Sequence, residues 1–320
     1  MVFLKQRWVR PFLTLAAVVA LATVFSPTRD GFPVFWNLDN QLNVLRQVSE
    51  TGILATAMTL VIISGGIDLS VGSLLALSGT VFAYTFARKD WPLAMAVSAA
   101  LFATTSFGLA SGAIVARMRM QPFIVTLAAM IGSRGFARWV VDNATIDIGF
   151  GSGYVDRVIA FLALKRVVVP TFLAVAFAGY VLLRFTRFGR YLVAVGGSEV
   201  AARLSGMNVG WVKVRVYALS GFLAGIAGII HACQNHQGSP NAGVAYELDA
   251  IAAAVIGGTS LAGGKGGIAG TVVGTLALGV LSNLLGLNNV DENMQWMLKA
   301  AIIVGAVWLQ SVGARKETLA

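Results

Sequence analysis

The 320-residue chain is 57% hydrophobic and only 12% charged, with a mean hydropathy of +0.77. Soluble domains run nearer one quarter charged, so the composition excludes an ordinary water-soluble domain and indicates a membrane protein. The formal charge of +10 does not indicate a nucleic-acid partner, because no basic cluster interleaved with aromatics occupies a polar face. It reads instead as cationic loop ends anchoring helices at the inner leaflet. One cysteine, Cys233, excludes an intrachain disulfide.

In chain order, Lys5, Arg7 and Arg10 precede an apolar run from Phe12 to Phe25. The small-x-small pair Ala20 and Ala22 lies inside that run rather than after it, so the segment reads as an uncleaved first span. Apolar runs predict further spans near 46–65, 69–87, 92–116, 122–141, 168–185, 214–233, 246–262, 267–287 and 294–312, after a first at 11–26. Several fall short of the ~20 residues that a straight helix needs to cross hydrocarbon, so broken or re-entrant pieces are expected. The fold class is all-α: one polytopic membrane helix bundle over residues 1–320, with about ten spans and both termini cytoplasmic. That orientation puts fourteen of the 24 basic residues inside, against three acids, Asp68, Glu199 and Glu317. The bias follows the rule by which Lys and Arg in short loops set topology. Eight spans with two re-entrant pieces fit the charges equally well.

"VIISGGIDLSVGSLLAL", residues 61 to 77, places an acid between two apolar runs. A helix starting near Arg46 brings Gly65 roughly 28 Å across, near the inner boundary. Gly65 and Gly66 then end it. Asp68 or Ser70 caps the next helix, accepting from N–H groups that lack partners within the helix and lying at the positive end of its dipole. The stretch reads as a hinge joint, with direct contact to substrate or partner as the other reading. "AVIGGTSLAGGKGGIAGT" repeats the apolar, Gly-Gly, Ser/Leu order with Gly257 and Gly258, and transporters often duplicate a unit with breaks at corresponding places.

The chain lacks a nucleotide-hydrolysing motif. In "TSLAGGKG", Thr259 stands where a P-loop needs its first glycine and Gly266 where it needs Ser or Thr. "HACQNH" sets His231 and His236 roughly 140° apart on a helix, with no acid or second cysteine to complete a metal site. No nucleophile with its base is present. No catalytic residue, metal or cofactor is expected.

The inner loop, 186–213, is more informative. Ser198 is a good N-cap after Gly196 and Gly197 break the chain, Gly206 supplies a left-handed stop, and Glu199 with Arg203 forms an i,i+4 pair. A two-turn helix near 198–206 is too short to be stable alone in water, so it packs on its own domain or docks a cytoplasmic partner.

"ATAMTLVIISGGIDLSVGSLLALSG", "QPFIVTLAAM" with "SRG", and "ELDAIAAAVIGGTSLAGGKGGIAGTVVG" resemble the permease subunits of monosaccharide ABC importers of the ribose, xylose, galactofuranose and autoinducer-2 class. The resemblance runs from about residue 45 to 312. It implies an inner-membrane permease working with two cytoplasmic ATPase subunits, a periplasmic sugar-binding protein and a second copy or sister permease. The coupling helix of that family matches Ser198–Gly206. Glu199, Ala202, Arg203 and Leu204 are then expected in the ATPase groove, and loops 27–43, 142–167 and 234–247 are expected to carry the platform for the binding protein.

A neutral sugar needs hydrogen bonds and stacking, so Gln121, Trp139, Asn143 and Asn283 are candidate pathway residues, each with ordinary helix packing as its other reading. Arg134 and Arg138 are costly if lipid-facing and suit a structural pairing, with Asp142 the expected partner of Arg134. Gly221-x3-Gly225 and Gly270-x3-Gly274 suit close helix contacts. The alternative function is an ion-coupled secondary transporter. It would be expected to place acids or histidines within spans, whereas the acids are read as gathering on the outer side or near outer helix ends.

Overall fold

The computed structural model describes residues 2–29, 31–291, 293–298, 300–302 and 304–305, with side chains from residue 11 onward. Its helices are α1 Val2–Phe25, α2 Leu38–Ile63, α3 Val71–Ala83, α4 Leu93–Arg117, α5 Pro122–Val140, α6 Tyr154–Leu162, α7 Lys165–Phe185, α8 Arg187–Gly197, α9 Glu199–Leu204, α10 Val209–Gln234, α11 Tyr246–Ile256 and α12 Ile268–Leu287. Two minute antiparallel ladders join β1 Thr28–Arg29 to β2 Phe32–Pro33 and β3 Ile146–Asp147 to β4 Gln237–Gly238. Among the described residues, α4, α5, α7, α10 and α12 are long and apolar enough to cross a membrane by themselves. The chain is thus a helical membrane protein. The expected segment 294–312, with Arg315, Lys316 and Glu317, lies wholly or partly outside the described residues.

Several boundaries differ from the hydropathy reading, for local reasons. α2 begins at Leu38 rather than 46, because Asn37 caps it by accepting from the Asp39 N–H at 2.8 Å. α11 stops at Ile256, short of 262, because Gly258 adopts φ +88°. α6 and α8 lie in stretches read as loops. α8 runs through Gly196 and Gly197, so the chain turns at Ser198 and not at the glycine pair.

The core centres on α2, α3 and α10. Every residue of α3 is buried, as is α2 from Gly52 to Ile63, which accounts for helices apolar all round. α10 lies antiparallel to α4: Gly221 meets the Thr104 carbonyl, and Gly108 on α4 meets that of Tyr217. α3 runs parallel to α10, with the Ser78 hydroxyl donating to Gly225 O at 2.7 Å. α12 returns antiparallel along α2, joined by Thr59 and Thr271 at 2.6 Å and by reciprocal Asn40–Asn283 amide bonds. Gly270 and Gly274 abut Gly257 and Ala253 of α11. Both small-residue spacings therefore serve close backbone approach. Lipid tails are as apolar as Leu, so dispersion contacts and such hydrogen bonds hold the helices together.

Candidate functional site

α9 is built by local rules. Ser198 Oγ accepts from the Ala201 N–H at 3.2 Å, and Gly206, at φ +79°, ends the helix with Met207 N–H bonded to Ala202 O and Gly206 N–H to Arg203 O. Arg203 reaches Glu199 at 2.7 Å, and Lys213 in the second turn of α10 reaches the other oxygen of Glu199 at 2.6 Å. Burial by itself would raise the Glu199 carboxyl, but Lys213 and then Arg203 outweigh it and hold the group below the ordinary carboxylate range. α9 is therefore tied to the helix that follows it. Lys213 was not singled out in the sequence, since 14 residues of separation carry no helical signal.

One expected contact needs correction. Ala202 is 2% exposed and belongs to the main core, so it packs on this chain and faces away from any docking groove. The outward apolar groups are Val200 at 70% and Leu204 at 84%, neighbours at i,i+4, while Ala202 lies half a turn away.

The two glycine breaks share one chemistry. After α2, the Gly66 N–H bonds to Val61 O and the Gly65 N–H to Ile62 O, with Gly65 at φ +82°. After α11, the Thr259 N–H bonds to Ala254 O and the Gly258 N–H to Val255 O, with Gly258 at φ +88°. Each is a Schellman end, in which a left-handed glycine lets the chain satisfy its last carbonyls. The connection that follows the second break reaches the first, because the Gly264 N–H donates to Ile63 O at 2.9 Å.

Asp68 follows the first break and is 1% exposed. Its Oδ1 accepts from the Ser70 N–H at 3.0 Å and from the Ser70 hydroxyl; its Oδ2 accepts from the Ser220 hydroxyl of α10 at 2.7 Å. Ser70 occupies the N-cap position without a side-chain cap bond, so Asp68 is the residue that receives the free backbone donor. Ser220 lies eleven residues into α10, roughly 16 Å along its axis. The carboxylate is thus held inside the bundle, between α3 and α10.

The remaining candidates do not form one cluster. Gln121 precedes the first turn of α5, whereas Trp139 and Asn143 lie at its other end, roughly 27 Å away by helical rise. Trp139 is 76% exposed, and Asn283 is engaged with Asn40 on α2. Arg134 donates to the carbonyls of Pro240 and Ala242 at 2.9 and 3.0 Å, and Arg138 to Asn241, so the turn after β4, rather than Asp142, takes both guanidinium groups. The expectation that acids keep to helix ends also fails for Glu50. It is buried twelve residues into α2, paired with His231 of α10 at 2.7 Å. A lone acid in an apolar helix was the available signal for that pair. Among the described residues no group of His, Cys, Asp and Glu could hold a metal ion.

Comparison with known proteins agrees with this architecture. The family described as branched-chain amino acid transport system / permease component matches residues 40–307. The chain is 42% identical to the ribose import permease protein RbsC of Escherichia coli (strain K12) over 95% of both chains. It is 39% identical to the ribose import permease of Bacillus subtilis (strain 168), covering 93% of this chain and 91% of that one. It is 34% identical to the xylose transport system permease protein XylH of Escherichia coli (strain K12), covering 98% and 95%. No solved structure matches. The chain therefore belongs to this family of transport permease components, and is a multi-pass inner-membrane transport protein rather than an enzyme.

Proposed function

We propose that this chain is the permease of a binding-protein-dependent ABC importer of a monosaccharide, with α9 as the element that receives the ATPase. The observation that carries the substrate class is the 42% identity to a ribose import permease over 95% of both chains. The docking role is supported by a capped, charged helix that presents Val200 and Leu204 outward between the short α8 and the long α10.

Ten spans with both termini cytoplasmic suit the helix directions: α1, α3, α5, α10 and α12 rise from the α9 end of the bundle, and α2, α4, α7 and α11 return to it. The arginines at the ends of α4 and α7, together with Arg187, Arg190, Arg203, Lys213 and Arg215, support placing the α9 end in the cytoplasm. At the opposite end, β3 and β4 join loops 142–167 and 234–247 into one outward-facing surface, which supports a seat for the binding protein. Trp139 at that end offers a stacking face to a sugar. The pathway then runs between this chain and a second copy or sister permease.

Reconstitution with the cognate ATPase and binding protein tests this reading. ATP-dependent uptake of labelled ribose, or of the sugar held by the binding protein, is expected. Uptake by the chain alone, driven by an ion gradient, would overturn it in favour of a secondary transporter.

A further inference from the structure

We infer that Gly196 is a positioning residue for coupling, through which displacement of α9 reaches the α2 break and the α11–α12 connection at once. This rests on the reading of α9 as the ATPase contact. Gly196 is in the last turn of α8, two residues before the Ser198 cap. It is seated where the α2 break and the α11–α12 connection meet. A Cβ at Gly196 would overlap the Ile63 carbonyl oxygen and lie 2.6 Å from the Gly264 nitrogen. A Cβ at Gly263 would lie 2.8 Å from Gly196 O and 3.0 Å from the Gly65 Cα. Three backbones therefore touch with no side chain between them, and the Gly264 N–H to Ile63 O bond closes the junction.

The α2–α3 joint is gripped a second time from the far side of α9. Lys213 binds Glu199, and the same helix, α10, holds Asp68 through Ser220 and Ile67 O through the Tyr217 hydroxyl at 3.4 Å. The segment before α9 thus touches Ile63 and Gly65, and the helix after it holds Ile67 and Asp68. A shift of α9 cannot be absorbed in a loose loop, because both flanking arms bear on residues 63–68. Contact between close-packed backbones transmits small displacements instead of damping them.

The test uses the full permease–ATPase complex in nanodiscs with its binding protein. Gly196→Ala is expected to retain ATPase copurification and basal ATP hydrolysis while binding-protein-stimulated hydrolysis and transport fall at least tenfold. Gly210→Ala, whose added Cβ makes only ordinary contacts of 3.5 Å or more, is expected to match the wild type. A purely structural role would lower basal and stimulated hydrolysis together, and that result, or wild-type transport by Gly196→Ala, would overturn the inference. Hydrogen exchange on the wild-type complex decides the matter if Gly196→Ala does not assemble. Trapping with ATP and vanadate is expected to change exchange at least tenfold in both 64–70 and 258–267, and unchanged exchange in either segment would overturn it. Failure of the wild-type chain to hold an ATPase at all would instead sink the reading of α9.

Discussion

Ser220, in the interior of α10, donates its hydroxyl to Asp68 Oδ2 at 2.7 Å, fastening the joint between α2 and α3 to a different helix. Asp68 holds three donors in all. Asp68→Asn keeps an acceptor for the Ser70 N–H, and the Ser220 hydroxyl can turn to accept from the new amide. Asp68→Leu strands all three, at about 1–3 kcal/mol for each buried unpaired group. Asn is therefore expected to express and transport near normally and Leu to lose the folded protein, as read by fluorescence size-exclusion yield. Equal loss of transport by both variants with normal yield would assign the charge a direct role.

The Glu199–Lys213 contact has a pH signature. The folded carboxyl sits below its ordinary range, so its stabilising contribution is complete at neutral pH and is lost as pH falls through the depressed value. Because Glu199 is 40% exposed, the contribution is under about 1 kcal/mol. The melting midpoint of Glu199→Gln should lie slightly below wild type at pH 7.5, and the gap should narrow as the solution is acidified. A gap that widens on acidification would contradict the assignment.

Val200 and Leu204 project from α9 with little contact to their own chain. Leu204→Glu should therefore leave the melting midpoint within a degree or two, since exposed substitutions cost little. It should weaken ATPase copurification at least tenfold, about 1.4 kcal/mol. Titrating the ATPase onto the purified variant reads both.

Buried Glu50 and part-buried His231 form a pair whose halves depend on each other. His231→Ala leaves Glu50 without its partner and should cost about 3–5 kcal/mol. The Glu50→Gln/His231→Ala double variant should recover part of that loss, because it removes the orphaned acid. Thermal denaturation of the four proteins as a double-mutant cycle measures the coupling, and strict additivity would show that the pair contributes nothing.

The membrane class, the helical fold and the helix ends at Gly65 and Gly206 were legible because each depends on local chemistry, whereas the span read as 246–262 ran past the left-handed Gly258. A left-handed glycine and a capping oxygen act within a few residues of themselves. α6 and α8 were missed for a related reason. They are short amphipathic helices whose apolar residues recur at helical spacing without forming the unbroken apolar run by which spans are located. Ala202 was assigned to the docking face from its neighbours in sequence, although the direction in which a two-turn helix rolls depends on what lies beneath it.

The pairings were not legible at all. Nothing in sequence spacing connects Asp68 to Ser220, Glu199 to Lys213, Glu50 to His231, or Arg134 to the carbonyls of Pro240 and Ala242, because each joins residues that only the packing of helices brings within 3 Å. By itself, the sequence determined that this chain enters a membrane, that Gly65 and Gly206 end helices, and that a short capped helix lies in the inner loop. Only the tertiary structure decided that the α2 break and the α11–α12 connection meet at Gly196. Local propensity sets where a helix ends, whereas close packing among distant segments sets what that end touches.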